Sequence, residues 1–245
     1  MRTLPIARPA AVWFASLALA AAPAARADTD RDPGAAADFP VHRDEISLGG
    51  GARALRSPSA NALTAANLAG ASVGIARDLG RDLGLYDAAW PLHQLTLWAE
   101  AGFVTGAADG TLFQTLSTTI DQLGFTAGVA ARYRVHRRVA LGVRGALGAQ
   151  RARVAITDGS GSSAYDHGWG TLAQASAALD LFLTTRPHFG LGVRLDAGYV
   201  AAQGIALTLH SDRSDDAMLL AMRPLSLGHL DLSGPTAAIS LVAQF

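Results

Sequence analysis

The sequence predicts an all-β chain, an eight-stranded antiparallel up-and-down transmembrane β-barrel with short periplasmic turns and long extracellular loops. Three observations predict it. Apolar residues alternate with small or polar ones through most of the chain after residue 44, the period of an extended strand. The links between these alternating segments are short and long by turns. The final segment, "TAAISLVAQF", is a clean strand that stops on Phe245 with no polar tail, whereas most chain ends fray unless tied down.

The first 27 residues read as a targeting segment and not as part of the fold. Arg2 and Arg8 make a basic start, Ala10 to Ala22 an apolar stretch, and Ala25-Arg26-Ala27 a small-residue cleavage site ahead of Asp28. Residues 28–44, acidic with Pro and Gly, read as a flexible periplasmic lead-in, which leaves 45–245 for the barrel. The chain is 50% hydrophobic and 16% charged, yet beyond residue 27 no run approaches the roughly 18–20 consecutive apolar residues of a membrane helix. Its apolar content is high but dispersed.

Composition removes several function classes. All 20 basic residues are Arg, and without Arg2, Arg8 and Arg26 the mature chain sets 17 of them against 20 acidic residues. A net charge of about −3 is not the balance of a nucleic-acid binder. The absence of Cys excludes a disulfide scaffold and a thiolate metal centre. No cofactor or metal is expected.

In chain order, period-two segments fall at 45–55, 66–78, 94–105, 121–135, 139–154, 170–184, 189–204 and 235–245. Between the second and third, a duplicated Arg-Asp-Leu-Gly (77–84) runs into 79–90, which suits one turn of helix. His136-Arg137-Arg138 and Thr185 to His188 are tight turns. The links 106–120, 155–169 and 205–234 are long and rich in Gly, Ser, Asp and Thr, and 79–93 breaks the alternation by being long where a short turn is due. An even number of strands puts both termini on the short-turn side.

The two faces of these strands differ sharply. One carries Leu95, Leu97 and Phe103, then Leu123, Phe125, Val129 and Tyr133, then Leu141, Val143 and Leu147, with similar runs at 179–183 and 191–199. The other is mostly Gly, Ala, Ser, Thr and Gln, with Arg53, Glu100, Arg132, Arg144, Asp180, Arg194 and Asp196 among them. Period two alone does not say which face is inside, and a soluble barrel would put the apolar one in its core. Gly and Ala are poor solvent-facing residues but suit a narrow, filled interior, and eight strands leave just enough room for side chains to fill the lumen. The apolar face is therefore assigned to lipid, with Phe103, Tyr133, Tyr199 and Phe245 near strand ends as an aromatic girdle. The seven charges form a lumenal network of mixed sign in which the unlike members should pair, since unpaired enclosed charges are costly. Asp180 and Arg194 lie almost equally far from the Arg186-Pro187 turn and are candidate cross-strand partners.

The targeting segment, the eight alternating strands and the ending "ISLVAQF" together resemble the small Gram-negative outer-membrane barrels of OmpA/OmpX type, over nearly all of 45–245. The resemblance implies the bacterial outer membrane, reached by a cleaved signal peptide, as the location. It also implies that Ile239, Leu241, Ala243 and Phe245 form an assembly signal for the barrel-assembly machinery. Expected partners are outer-membrane lipid, lipopolysaccharide and that machinery, with no nucleic acid, and the expected state is a monomer. No peptidoglycan-binding domain is expected after Phe245.

Groups suited to chemistry are few. His210 to Asp216 ("HSDRSDD") brings Ser, His and paired Asp together, but in the longest link, where a catalytic group lacks a rigid support. Thr157 to Gly170 resembles a calcium loop in composition only, without regular ligand spacing or a closing Glu. His229 and Asp231 share a face at i, i+2 and come nearest to a catalytic pair. The expected function is non-enzymatic: a structural, adhesive or lipopolysaccharide-interacting barrel. A narrow channel for ions or small solutes and a lipid-modifying enzyme are the alternatives.

Overall fold

The computed structural model describes residues 42–84, 94–159, 163–186, 188–211 and 225–245, all within one compact unit, Phe39–Phe245. The targeting segment and most of the lead-in lie outside the described residues, as do 85–90 of the expected helical turn and 212–216 of the His-Ser-Asp segment.

Strands form where period two leaves each face with one kind of neighbour. They are β1 (Asp44–Arg53), β2 (Leu68–Asp78), β3 (Leu95–Leu112), β4 (Leu116–His136), β5 (Val139–Thr157), β6 (Ser163–Arg186), β7 (Phe189–Ala202), β8 (Ile205–Ser211), β9 (Leu225–Leu230) and β10 (Gly234–Gln244). Among the described residues two short helices interrupt them, α1 (Pro58–Leu63) and α2 (Leu79–Asp82). Ser57 caps α1 by accepting from the Ala60 amide, with Pro58 at its first position.

Eight strands close a ring in the order β1-β2-β3-β4-β5-β6-β7-β10, every neighbour antiparallel, with β10 paired back to β1. This is the expected up-and-down barrel. The closing seam runs from Glu45 opposite Gln244 to Arg53 opposite Thr236. Beyond it, the Phe245 amide donates to the Asp44 carbonyl, and the Phe245 carbonyl accepts from the Arg43 and Asp44 amides, each at 3.0 Å. The lead-in is therefore not free up to residue 44: Arg43 and Asp44 are stitched to the C-terminus, and His42 is buried. The start of β1, the C-terminal Phe245, α2, the turn at 137–138 and the ends of β6 and β7 at Arg186 and Phe189 share one end of the ring. Register shifts near Val135 and Leu183 at that end accommodate one extra residue in β4 and in β6.

The far end corrects the expected loops. Residues 106–120 are not a long link but the upper parts of β3 and β4, joined by a tight turn in which Phe113 and Gln114 both have positive φ, as a type I′ hairpin turn requires. Residues 155–157 and 163–169 likewise extend β5 and β6, so the calcium-like stretch is largely a hairpin. Residues 205–211 and 225–230 form an extra hairpin, β8–β9, whose β8 pairs with β6 at Ala164 and Tyr165. Phe103 consequently lies in mid-strand, edge-on to its cross-strand partner Phe125 at 4.9 Å between ring centroids, and not at a strand end.

Polarity inverts along the strands. In the lower barrel the large apolar side chains face out, from Leu181 at 38% exposed to Leu147 at 70%, while charged groups point inward. Above Gln122 on β4 and Gln150 on β5, Ile120, Ala152 and Val154 point inward and are fully buried, and Asp121, Arg151 and Arg153 take the outer face. These inward residues pack with Leu55, Ala60 and Leu63 around α1, and with Ile205, Leu207, Leu230 and Leu232 around the β8–β9 hairpin. A conventional apolar core thus caps an inside-out barrel. The Gln122 amide donating to the Gln150 carbonyl oxygen at 2.9 Å marks the boundary.

Candidate functional site in the barrel lumen

Inward-pointing charges concentrate near the short-turn end because β1, β3, β4, β5, β6 and β7 each place one or two polar-phase residues there. They form an alternating chain. Asp180 on β6 receives Arg194 Nε (2.5 Å) and Nη2 (3.0 Å), and Arg194 also donates from Nη1 and Nη2 to Glu45 at 2.8 and 3.0 Å. Glu45 on β1 is shared with Arg132, whose Nη1 and Nη2 both donate to it; Arg132 Nη2 reaches on to Glu100 at 2.6 Å. Glu100 accepts from Arg144 Nε at 2.7 Å, and Arg144 Nη1 ends the chain on Asp196 at 2.9 Å. Gln244 adds a neutral donor to Glu45 at 2.9 Å, and the Arg132 guanidinium lies 4.5 Å from the centre of the Trp98 ring.

Six of the seven sequence-predicted charges are therefore brought together, with Asp180 and Arg194 directly opposite in the β6–β7 register. Arg53 is the exception. It sits at the other end of β1, roughly 26 Å along the strand from Glu45 at ~3.3 Å per residue, and its Nη1 donates to the Leu232 carbonyl at 3.1 Å. Its Nε is buried with no hydrogen-bond partner, and among the described residues no carboxylate pairs with it. Sequence reasoning missed Glu45, which accepts more of these bonds than any other carboxylate. Its signal was its parity with Arg53 on β1. Gln244 follows from Glu45 once the β1–β10 seam is in register.

Between the charged layer and the apolar cap lies a cavity of about 170 Å³ lined by small and polar groups, among them Ser72, Thr126, Gln174, Ser176, Arg53 and Arg194. The wall is thin by design of sequence. A Cβ on Gly70 would stand 1.7 Å from the Thr105 carbonyl oxygen, so only Gly lets β2 and β3 approach there. A chain of four carboxylates and three guanidiniums, in which every guanidinium is ion-paired and only the buried Arg132 Nε lacks a hydrogen-bond partner among the described residues, can hold strands in register and block the bore. It offers no free nucleophile.

The other sequence candidates do not assemble into a catalytic group. Asp231 accepts the Ser233 hydroxyl at 2.5 Å, and its carbonyl accepts from Ser57, while His229 is exposed. Asp166 of the calcium-like stretch accepts the Thr208 amide at 2.6 Å and so pins β8 to β6. Among the described residues, no three His, Asp or Glu side chains converge as a metal site. Ile239 and Leu241 are more than half exposed on the outer face, Ala243 and Phe245 partly so.

No family model matches the sequence, and no curated protein matches it. Solved structures that share the arrangement of strands are distant. Ail, the attachment invasion locus protein of Yersinia pestis, solved in complex with the heparin analogue sucrose octasulfate, is 14% identical, with a TM-score of 0.43 over 83% of this chain and 98% of that one. The translocator domain of the autotransporter NalP from Neisseria meningitidis is 13% identical, with a TM-score of 0.38 over 84% of this chain and 88% of that one. The outer membrane protein AlkL in lipid bilayers is 13% identical, with a TM-score of 0.34 over 89% and 96%. The fold and the lumen define the class without them: an inside-out antiparallel β-barrel. Its ring of eight strands is the architecture of the small OmpA/OmpX-type barrels.

Proposed function

We propose that the protein is a closed, non-enzymatic barrel of the bacterial outer membrane, with a structural and surface-interacting role played by its capped far end. The observation that carries the reading is the polarity inversion along β4 and β5. On β5 the apolar outward phase runs from Val139 to Ala149 and then gives way to Arg151 and Arg153. At ~3.3 Å per residue and a tilt of ~40°, Val139 to Ala149 rises about 25 Å, the height of the apolar band on outer-membrane barrels. Short turns then belong to the periplasm and the cap to the exterior.

Two obstructions speak for a closed lumen: the ion-pair chain below and the apolar core above. Planar-bilayer recording tests this. The reading expects no stepwise conductance from the reconstituted protein; regular single-channel steps would replace it with the narrow-channel reading, which the polar cavity favours. Orientation has its own test, helped by the absence of native Cys. Phe113→Cys, at the tip of the β3–β4 hairpin, should react with a membrane-impermeant maleimide on intact cells, and Arg138→Cys should not. The opposite pattern would invert the topology and remove the surface role.

A further inference from the structure

The outer surface just above the apolar band carries a feature that neither the lumen nor the cap uses. Arg151 and Arg153 are consecutive outward residues of β5, one and two pleats above Ala149. In register with them on β6 stand Trp169 opposite Arg151 and His167 opposite Arg153. Trp169 is 58% exposed, and the Arg153 guanidinium lies 5.1 Å from the centre of the Tyr165 ring. On the β4 side the partners are Leu123 and Asp121; among the described residues Asp121 forms no ion pair with either Arg, so two guanidiniums face one carboxylate. Arg151 Nε is shielded from water and has no hydrogen-bond partner among the described residues.

We infer that Arg151 and Arg153, with Trp169 and Tyr165 beside them, form a binding site for the headgroup phosphate of an anionic lipid in the outward leaflet. This rests on the proposed membrane reading and adds to it the ligand of one surface. Height, chemistry and continuity agree. Arg151 lies about 5 Å above the last apolar pleat, where headgroups begin. Guanidiniums two residues apart on one strand face present planar forks suited to phosphate oxygens. The indole and phenol rings occupy the interfacial level where amphipathic aromatics are stable. The lipid's acyl chains would lie on Leu147 and Phe125 below, so the site is continuous with the lipid-facing wall. An anionic headgroup fits better than a zwitterionic one, because a choline ammonium would meet the same two cations.

Trp169 is a built-in reporter. With Trp13 and Trp90 replaced by Phe, the remaining tryptophans are Trp169 and the buried Trp98. The protein is refolded into mixed bilayers in which either phosphatidylglycerol or phosphatidylcholine carries brominated chains, and Trp169 quenching gives the relative occupancy of the two lipids at the site. The wild-type pair should favour phosphatidylglycerol, with each Arg contributing about fivefold and the two about thirtyfold. Arg151→Gln/Arg153→Gln should bring that preference close to unity, whereas Arg151→Lys/Arg153→Lys, which keeps the charge but not the fork, should retain part of it. Equal quenching by the two lipids in the wild type, or a preference unchanged in the Gln variant, overturns the site. Quenching by neither lipid overturns the membrane reading itself.

Discussion

Replacing Glu45 by Gln changes one oxygen to an amide in the middle of the lumenal chain, and its consequences can be ranked against two controls. Glu45 accepts two bonds from Arg194, two from Arg132 and one from Gln244, with 2% of its side chain exposed. The Gln variant leaves Arg194 with Asp180 alone and Arg132 with Glu100, Asp180 lying 4.0 Å from Arg132 Nη1, and turns an amide toward at least one of the two guanidiniums. Removing one partner of a buried ion pair costs about 3–5 kcal/mol. Asp180→Asn leaves Arg194 still paired to Glu45, so its loss should be nearer 1.5–3 kcal/mol, the range for a hydrogen bond to a charged group. Asp196 ends the chain on Arg144, whose side chain is 28% exposed, so Asp196→Asn should cost about 1 kcal/mol or less. All three substitutions reduce the chain's excess of one negative charge, four carboxylates against three guanidiniums. If net charge governed stability, all three would help equally. If pairing governs it, the order is Glu45, Asp180, Asp196. Urea unfolding of the refolded barrel in detergent, followed by tryptophan fluorescence, reads the order directly. A Glu45→Gln variant no less stable than Asp196→Asn would refute the pairing account, and a double-mutant cycle without coupling between Asp180 and Arg194 would remove that link from it.

Three further expectations concern residues at the margins of the site. Arg53→Met should be neutral or stabilising by the same urea assay, because the guanidinium it removes is buried with no carboxylate partner among the described residues; a loss as large as that of Glu45→Gln would mean that Arg53 has a partner after all. Just ahead of β1, burial, aided by Arg134 and His188, lowers the pKa of His42 from 6.5 to about 4. The folded protein favours the neutral ring while the unfolded chain takes up a proton near 6.5, so stability is full above that pH and falls as pH drops toward 4, by at most about 3 kcal/mol and less where water reaches the ring. His42→Gln should lose that part of the acid sensitivity, and identical pH profiles for the two proteins would show that His42 does not contribute. Phe245→Ala keeps the terminal backbone bonds and should cost the refolded barrel only about 1–2 kcal/mol for the half-buried ring, yet lower the amount assembled in cells much further if Ile239, Leu241, Ala243 and Phe245 act as an assembly signal; normal assembly in cells would end that role.

The ring was legible because one apolar phase is strong and uninterrupted: Leu123 to Val135 on β4 and Val139 to Leu147 on β5 mark strands plainly, and the Gly and Ala of the opposite face assigned that apolar phase to the outside. The Asp180–Arg194 pairing was legible because a tight turn fixes register by counting. The upper strands were not legible, for a physical reason. Period two continues through Ala108, Ile120, Ala152, Val154 and Ile156, but those residues share the phase that is polar lower down, so one strand appears to stop where only its surroundings change. Gly, Ser and Thr at 157–163 and 203–211 then resembled loop composition, although Ile205, Leu207 and Leu209 alternate cleanly. Glu45 escaped because it lies at the first turn of a strand whose partner is the far end of the chain, and only the closed ring places it beside Arg194.

In the proposed membrane orientation, the change of phase between Leu123 and Asp121 gives the barrel a fixed waterline. Sinking by one pleat would carry Arg151 and Asp121 toward the hydrocarbon, where an Arg costs about 0–1 kcal/mol near the interface and rises toward about 2–4 kcal/mol at the midplane. Rising by one pleat would lift Leu123 and Ala149 into water while dragging Arg77 and Asp44 up from the other edge. Both errors act on several strands together, and neither can be relieved by tilting a single strand, since the ring is closed. The molecule therefore sets its own depth to within about 5 Å, the height of one pleat, and a bilayer of a different thickness must adjust to the protein.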